Sequence, residues 1–291
     1  MVRVAYLGPE KTNTHFAARK KFGAKAGYVH APTVEDVFRL VERGQADFGV
    51  VPIENSLEGA VAHTLDQFAG FRASSVRIWG ELEMPIRHCL IVLPGVEPRG
   101  VSVVYSHPQA LAQCRGWLHK HLPRASLVET LSTADAVHIL LERNTSVMVR
   151  PDGASKVISV PERNAAIGRE DLAKDSGLKA IAIPQDRENK TRFLVISRKQ
   201  PPRSQRSKTS LLFALKDRPG ALHDALVPFK EHRINLTKIE SRPTKRKAWE
   251  YVFFVDFNGH ISEPRVRQAL KDLKRSAEVQ VLGSYPAGGK G

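Results

Sequence analysis

Apolar residues follow two rhythms along this chain, and the switches between them mark out the elements. Short β-branched or aromatic runs at Val2–Leu7, Phe48–Ile53, Val101–Tyr105, Val147–Val149 and Phe193–Ile196 read as strands. Between them, apolar residues recur at helical spacing over Val34–Arg43, Leu111–Leu122 and Ala134–Glu142. Thr33 and Asp36 have the spacing of a capping box, and Gly44 follows as a stop. Ser132-Thr133 offers a hydroxyl cap to the third helix. Strands alternating with helices bury a sheet on both faces, so the expected class is α/β with mostly parallel strands. Pro94-Gly95 suggests a break, and polar clusters at Ser106 and Thr191 fall on opposite sides of the middle segment. Two α/β lobes are expected, lobe one about 1–82 and 180–198 and lobe two about 83–179, within a domain spanning 1–198.

Residues 199–208 combine basic residues with Pro201-Pro202 and two serines and read as a linker. Beyond it, over 209–285, the pattern becomes β-α-β-β-α-β. Thr209–Lys216, Ile234–Glu240, Glu250–Phe257 and Val279–Leu282 read as strands, and Ala221–His232 and Glu263–Arg275 as helices. The basic stretch Thr244-Lys245-Arg246-Lys247 reads as a hairpin tip. That order is the ferredoxin-like arrangement.

Composition narrows the class. With 42% apolar residues in 291, the chain can bury a sizeable core. Cys89 and Cys114 are the only cysteines and form no paired motif, which points to buried thiols in a reducing compartment. The start carries no long apolar signal segment and no run reaches membrane-span length, so a cytoplasmic protein without a membrane partner is expected. The formal charge of +15 raises the question of nucleic acid. Its basic stretches lack interleaved aromatics, so a solvated basic surface is preferred and no nucleic-acid partner is expected. Such a field would also gather an anionic substrate.

Polar clusters sit where apolar runs stop, the place where open α/β sheets put ligands. They are Gly8-Pro9-Glu10, Pro52-Ile53-Glu54-Asn55-Ser56-Leu57-Glu58-Gly59, Ser106-His107-Pro108-Gln109 and Asn189-Lys190-Thr191-Arg192-Phe193. Further on come Gly220-Ala221-Leu222 and Glu240-Ser241-Arg242-Pro243. In this order the motifs resemble a prephenate dehydratase with a C-terminal ACT regulatory domain. The resemblance implies a two-lobed, periplasmic-binding-protein-like catalytic domain with the active site between the lobes, followed by the ferredoxin-like domain. It implies decarboxylating elimination of water and carbon dioxide from prephenate to phenylpyruvate, in phenylalanine biosynthesis. No Gly-x-Gly-x-x-Gly, Walker loop, nucleophile elbow or His-Glu-x-x-His motif is present, and no cofactor or metal is expected.

The resemblance makes Thr191 the catalytic residue. A threonine hydroxyl is a very weak acid, so its expected role is hydrogen-bond donation to the leaving hydroxyl. Arg192 stands open between a bidentate partner of a substrate carboxylate and a structural ion pair. Asn55 and Ser56 are expected at a helix start suited to a carboxylate. Ser106 and Gln113 match positions credited with substrate contact, and Thr12 and Thr14 keep the hydroxyls of the first loop. Lys11 replaces a glycine there that would permit positive φ, and Asn13 replaces an aromatic. Glu54, Glu58 and His107 are read as structural, and His119 and His121 as surface residues. The expected phenylalanine site comprises Gly220, Ala221, Leu222, Glu240, Ser241, Arg242 and Pro243. Asn235 and Leu236 would complete it from a neighbouring subunit of a homodimer or homotetramer. Two rivals stand beside this reading: an arogenate dehydratase, and a non-catalytic aromatic-acid-sensing regulator.

Overall fold

The structure is a computed structural model that describes residues 1–70, 75–143, 147–149, 155–157, 163–184, 188–202, 204–243 and 251–288. The expected hairpin tip at 244–247 lies outside the described residues. The chain divides into two compact units, one of Met1–Gly8, Thr14–Met84 and Lys190–Gly291, the other of Pro9–Asn13 and Pro85–Asn189.

The first unit is built on a six-stranded sheet. Arg3–Leu7 runs parallel to Gly27–Ala31 on one side and to Phe48–Asn55 on the other. Lys190–Ser197 enters antiparallel beside Phe48–Asn55, and Arg77–Pro85 follows it. Helix Val34–Glu42 begins where the Thr33 hydroxyl accepts from the Asp36 N–H, as the capping spacing predicted. Its apolar face, Val34, Val37, Phe38 and Val41, joins Ala5, Val51 and Ile53 in the core.

The same unit contains a four-stranded antiparallel sheet in the order Leu236–Pro243, Tyr251–Asn258, Ser207–Leu215, Ala277–Pro286. Helices Ala221–Glu231 and Pro264–Leu273 complete the β-α-β-β-α-β order. Strand alternation divides its side chains. Leu211, Phe213, Val255 and Phe257 share a core with Phe229, Val266 and Leu273 of the two helices. Leu212, Phe254, Leu282 and Tyr285 instead join the core of the first sheet, with Leu65, Phe68, Val76 and Ile78. Burial of each such side chain contributes about 1.5–3 kcal/mol, so the C-terminal sheet is docked on the first sheet rather than merely tethered to it. A Cβ on Gly283 would lie 2.3 Å from the Ile78 carbonyl oxygen, so only glycine permits this approach.

The second unit holds a five-stranded sheet in the order Lys179–Ala182, Cys89–Val92, Asn164–Gly168, Val103–Ser106, Ser126–Glu129. The last three strands are parallel, and the first two join antiparallel. Because Lys179–Ala182 pairs along Cys89–Val92, the chain leaves this unit at Asn189, later than the expected 180. Helix Pro108–His121 starts earlier than expected, with proline at its first turn and His107 accepting from the Gln109 N–H. Ser132 caps helix Thr133–Glu142. Cys89 and Cys114 are buried and unbridged, and burial pushes the Cys114 thiol up to about 12. No helix among the described residues is long and apolar enough to cross a membrane.

Candidate active site

Thr191 and Asn55 face each other across the antiparallel pair of Lys190–Ser197 and Phe48–Asn55. The register then shifts between Arg192 and Phe193, which face Glu54 and Pro52. A proline has no N–H for the ladder, so an irregularity at this point lets Pro52 sit inside a sheet. The Asn55 Nδ2 amide donates to the Thr191 Oγ1 at 2.9 Å. With that lone pair engaged by an amide, the Thr191 proton is left to be donated elsewhere.

Asn55 and Ser56 were expected at a helix start, and here the structure corrects the sequence reading. Asn55 ends its strand, and Gly59–Ala60 folds back onto Glu54 and Asn55 as a short hairpin, with helix Ala62–Gly70 starting afterwards. Gly59 at φ 84 makes the turn possible. The Asn55 Oδ1 accepts from the N–H groups of Leu57 and Glu58 at 2.9 and 3.2 Å. Those N–H groups are therefore spent on Asn55 and not presented to a ligand. Ser56 pins the hairpin to the neighbouring strand: its N–H donates to the Lys190 carbonyl at 2.8 Å, and its Oγ accepts from the Lys190 N–H at 2.9 Å.

Arg192 points to the opposite face from Thr191, as strand alternation requires. Its guanidinium is buried among carboxylates. Nε donates to Glu81 at 2.7 Å, Nη2 meets Asp256, and Nη1 lies 3.5 Å from Glu54. Of the two readings left open for Arg192, this geometry is the structural ion pair, and its place among substrate ligands is withdrawn. Around it, Lys208 pairs with Glu81 at 2.7 Å and Lys238 with Glu54 at 3.1 Å. Ser210 donates to Asp256 and shares a 2.7 Å hydrogen bond with Tyr285. Burial alone would raise the Glu81 carboxyl, but Arg192 and Lys208 hold it below its ordinary value. Desolvation would lower Arg192, yet Asp256, Tyr285 and Glu81 raise it, so it stays charged.

In the second unit, the Gln113 Oε1 accepts from Asn189 Nδ2 and lies against His88 Nε2, both at 2.9 Å. An amide oxygen only accepts, so His88 carries its proton on Nε2. Burial lowers the His88 pKa, which favours the neutral ring. Ser106 is fully buried and donates its hydroxyl to the Ile167 carbonyl at 2.8 Å, so its expected side-chain contact with substrate is withdrawn. Thr12 donates to the Pro9 carbonyl at 3.0 Å, closing the first loop, and Thr14 is buried at the start of helix Asn13–Phe22. Lys11 adopts φ 63, the conformation the replaced glycine would have taken easily.

In the C-terminal sheet, Gly220 caps helix Ala221–Glu231 at φ 77, with Ala221 and Leu222 lining a groove of about 780 Å³ beside Arg218, Tyr251 and Phe253. Arg242 is drawn toward the first sheet's layer, its Nε donating to Asp66 at 3.1 Å. Pro243 pairs with Tyr251 at one end of the sheet and Leu236 with Phe257 at the other. Seven residue steps at about 3.3 Å separate them, roughly 23 Å. One subunit therefore cannot bring Asn235-Leu236 and Pro243 to the same small ligand.

The residues to which the sequence reading gave no place in the site are Glu81, Asp256, Lys208, Lys238 and His88, while Asn189 stood in the Thr191 cluster without a role of its own. Glu81 and Asp256 carried a signal, since each is a carboxylate inside an apolar strand and a buried charge demands a partner.

The sequence matches the family profile described as prephenate dehydratase over residues 4–201, and that described as ACT domain over 209–275. A bifunctional chorismate mutase/prephenate dehydratase of Aquifex aeolicus is 47% identical, over 98% of this chain and 74% of that one. Among solved structures, a prephenate dehydratase from Arthrobacter aurescens in complex with L-Phe superposes with a TM-score of 0.83 at 35% identity, covering 98% of this chain and 90% of that one. GqqA, described as a novel type of quorum quenching acylase, has a TM-score of 0.80 at 26% identity, over 98% and 97% of the two chains.

Proposed function

This chain belongs to the prephenate dehydratase family, and on that premise we propose that it converts prephenate to phenylpyruvate with Thr191 as its catalytic residue. The observation that carries the reading is the Asn55 amide donating to the Thr191 Oγ1. Prephenate loses its ring carboxylate as carbon dioxide. The electron pair of that carbon–carbon bond enters the ring, and the ring hydroxyl departs on the opposite side. The departing oxygen, hydrogen-bonded by the Thr191 hydroxyl, takes one proton from solvent and leaves as water. Carbon, hydrogen and oxygen balance as phenylpyruvate, carbon dioxide and water, and no carbon-bound proton is removed. The enzyme must therefore hold two carboxylates and stabilise an emerging hydroxide.

Thr191 suits the second task. Its oxygen is engaged by Asn55, so its proton is directed to an external acceptor, and the amide dipole makes that proton a better donor. The donors we assign to the substrate carboxylates in the first unit are Ser56 and Thr14. Thr12 shapes the first loop rather than contacting substrate. Acyl transfer, the chemistry named for the acylase relative, would need a base beside the hydroxyl. An amide nitrogen that donates to Thr191 cannot take its proton, which favours the elimination.

We assign phenylalanine as effector to Gly220, Ala221, Leu222, Glu240, Ser241, Arg242 and Pro243, with Asn235 and Leu236 supplied by a second subunit. The 23 Å span of the edge strand, estimated from about 3.3 Å per residue, supports a site shared by two copies. We expect phenylalanine to weaken substrate binding.

Side-by-side turnover of prephenate and arogenate tests the assignment. Phenylpyruvate formation at a rate well above that on arogenate is expected, and preference for the amino analogue would replace it. Calorimetry in the presence of phenylalanine, with sedimentation, tests the effector site. Absence of phenylalanine binding, or binding by a monomer, would falsify the shared-site reading.

A further inference from the structure

The buried ionic cluster touches both halves of the Thr191–Asn55 pair. Arg192 is the neighbour of Thr191 along one strand, and Glu54 is the neighbour of Asn55 along the other. Both lean on the C-terminal sheet: Arg192 on Asp256, and Glu54 on Lys238 at 3.1 Å. The Glu54 carboxylate also lies 3.5 Å from Arg192, so one anion bridges a cation from each side.

Charge is sorted across this junction. The first sheet contributes one cation, Arg192, and two anions, Glu54 and Glu81. The C-terminal sheet contributes two cations, Lys208 and Lys238, and one anion, Asp256. Each side alone is left with one unbalanced charge, and the six together are neutral. The Lys238 side chain is 6% exposed and that of Asp256 0%, so these are fixed contacts rather than mobile surface arms. Glu54 is the one partly exposed member, and separating a buried charge such as Lys238 or Asp256 from its partner is strongly unfavourable. The strand positions of Arg192 and Glu54 are thereby tied to the C-terminal sheet.

We propose that Lys238 and Asp256 are positioning residues for catalysis, holding the Thr191–Asn55 hydrogen bond in register through Glu54 and Arg192. The C-terminal sheet then sets the competence of the catalytic hydroxyl, and a ligand that shifts its edge strand acts on the reaction through Lys238. This inference rests on the dehydratase reading of Thr191. Because misplacement by about 1 Å can cost about 10²-fold in rate, a small displacement is sufficient.

The test is Lys238→Met, which keeps the apolar stem and removes the charge, with Lys238→Arg as the conservative variant. The full-length protein is used throughout. Lys238→Met is expected to lower kcat by roughly ten-fold or more while KM for prephenate stays within about two-fold, and Lys238→Arg to restore most of kcat. Glu54→Gln, at a side chain 36% exposed, breaks the same contact from the other side and should reproduce the loss. The double variant should be no worse than the more severe single one, since both remove one interaction. In parallel, the side-chain amide resonance of Asn55 should move in Lys238→Met and return in Lys238→Arg. Unchanged kcat with an unmoved Asn55 resonance overturns the proposal, as do losses that multiply in the double variant. If Lys238→Met does not fold, Glu54→Gln and its Asn55 resonance decide. If the wild-type protein leaves prephenate untouched, the dehydratase reading has failed, and the Asn55 resonance still reports whether the sheet positions this pair.

Discussion

Replacing Asp256 with asparagine should destabilise the first unit far more than any surface charge change. Asp256 is 0% exposed, and its two oxygens serve Arg192 and Ser210. Asparagine keeps the shape but loses the charge, and its NH2 must replace one of the two acceptor oxygens, so the hydrogen bond from Ser210 has to reverse if the one from Arg192 is kept. Breaking a buried ion pair from one side costs about 3–5 kcal/mol, because the other charge stays buried. Arg192 keeps Glu81 and Glu54, which places the expected cost at the lower end, about 3 kcal/mol. Against a native stability of about 5–15 kcal/mol the variant still folds. With a urea slope of about 1–3 kcal/mol/M, the midpoint should fall by about 1–3 M. The control is Glu35→Gln, which removes an exposed helix pair with Arg39 and should stay within about 0.5 kcal/mol. Urea unfolding followed by tryptophan fluorescence reads both, since Trp79 lies on Arg77–Pro85 beside Glu81. An Asp256→Asn midpoint matching that of Glu35→Gln would show that the cluster stabilises nothing, and the reasoning would be wrong.

The same cluster predicts acid sensitivity. The Glu81 carboxyl is held below its ordinary value of 4.5, so its contribution is present above that value and is lost as the pH falls through the lower folded value. Urea midpoints measured from neutral to acid pH should fall less steeply below that value for Glu81→Gln than for wild type, and parallel curves would contradict this. Asn55→Asp turns the donor to Thr191 into an acceptor that captures its proton, so kcat should fall by about 10²-fold or more; a wild-type kcat in that variant removes the role given to Asn55. Lys11 sits at φ 63, where a residue with a Cβ costs about 1–2 kcal/mol, so Lys11→Gly should raise thermal stability, and a lowered melting temperature would show that Lys11 makes contacts outweighing the strain.

Local signals carried much of this molecule. The Thr33 and Ser132 caps and the β-α-β-β-α-β order follow from spacing alone, and Thr191 and Asn55 both stood out as polar residues where apolar runs stop. The hairpin after Asn55 did not, because Asn-Ser before an apolar stretch is an equally good helix start, and only Gly59 at φ 84 distinguishes the two. Cys89–Val92 and Asn164–Gly168 are buried along their whole length. A strand buried on both faces has no alternation, so the period that identifies strands is missing. Lys179–Ala182 is a short edge strand whose existence depends on Cys89–Val92. The ionic cluster joins residues separated by 64 positions for Arg192 and Asp256 and 111 for Arg192 and Glu81, and no local pattern encodes such pairings. The isolated carboxylates of Glu81 and Asp256 among apolar neighbours were the available hint.

The most direct test is the rate of phenylpyruvate formation from prephenate by the wild-type protein and by Thr191→Ala, with folding of both checked by circular dichroism. The wild type should turn over, and Thr191→Ala should lose about 10²–10⁴-fold in kcat with a much smaller change in KM. A folded Thr191→Ala protein with near wild-type kcat, or a wild type that forms no phenylpyruvate, would contradict the account.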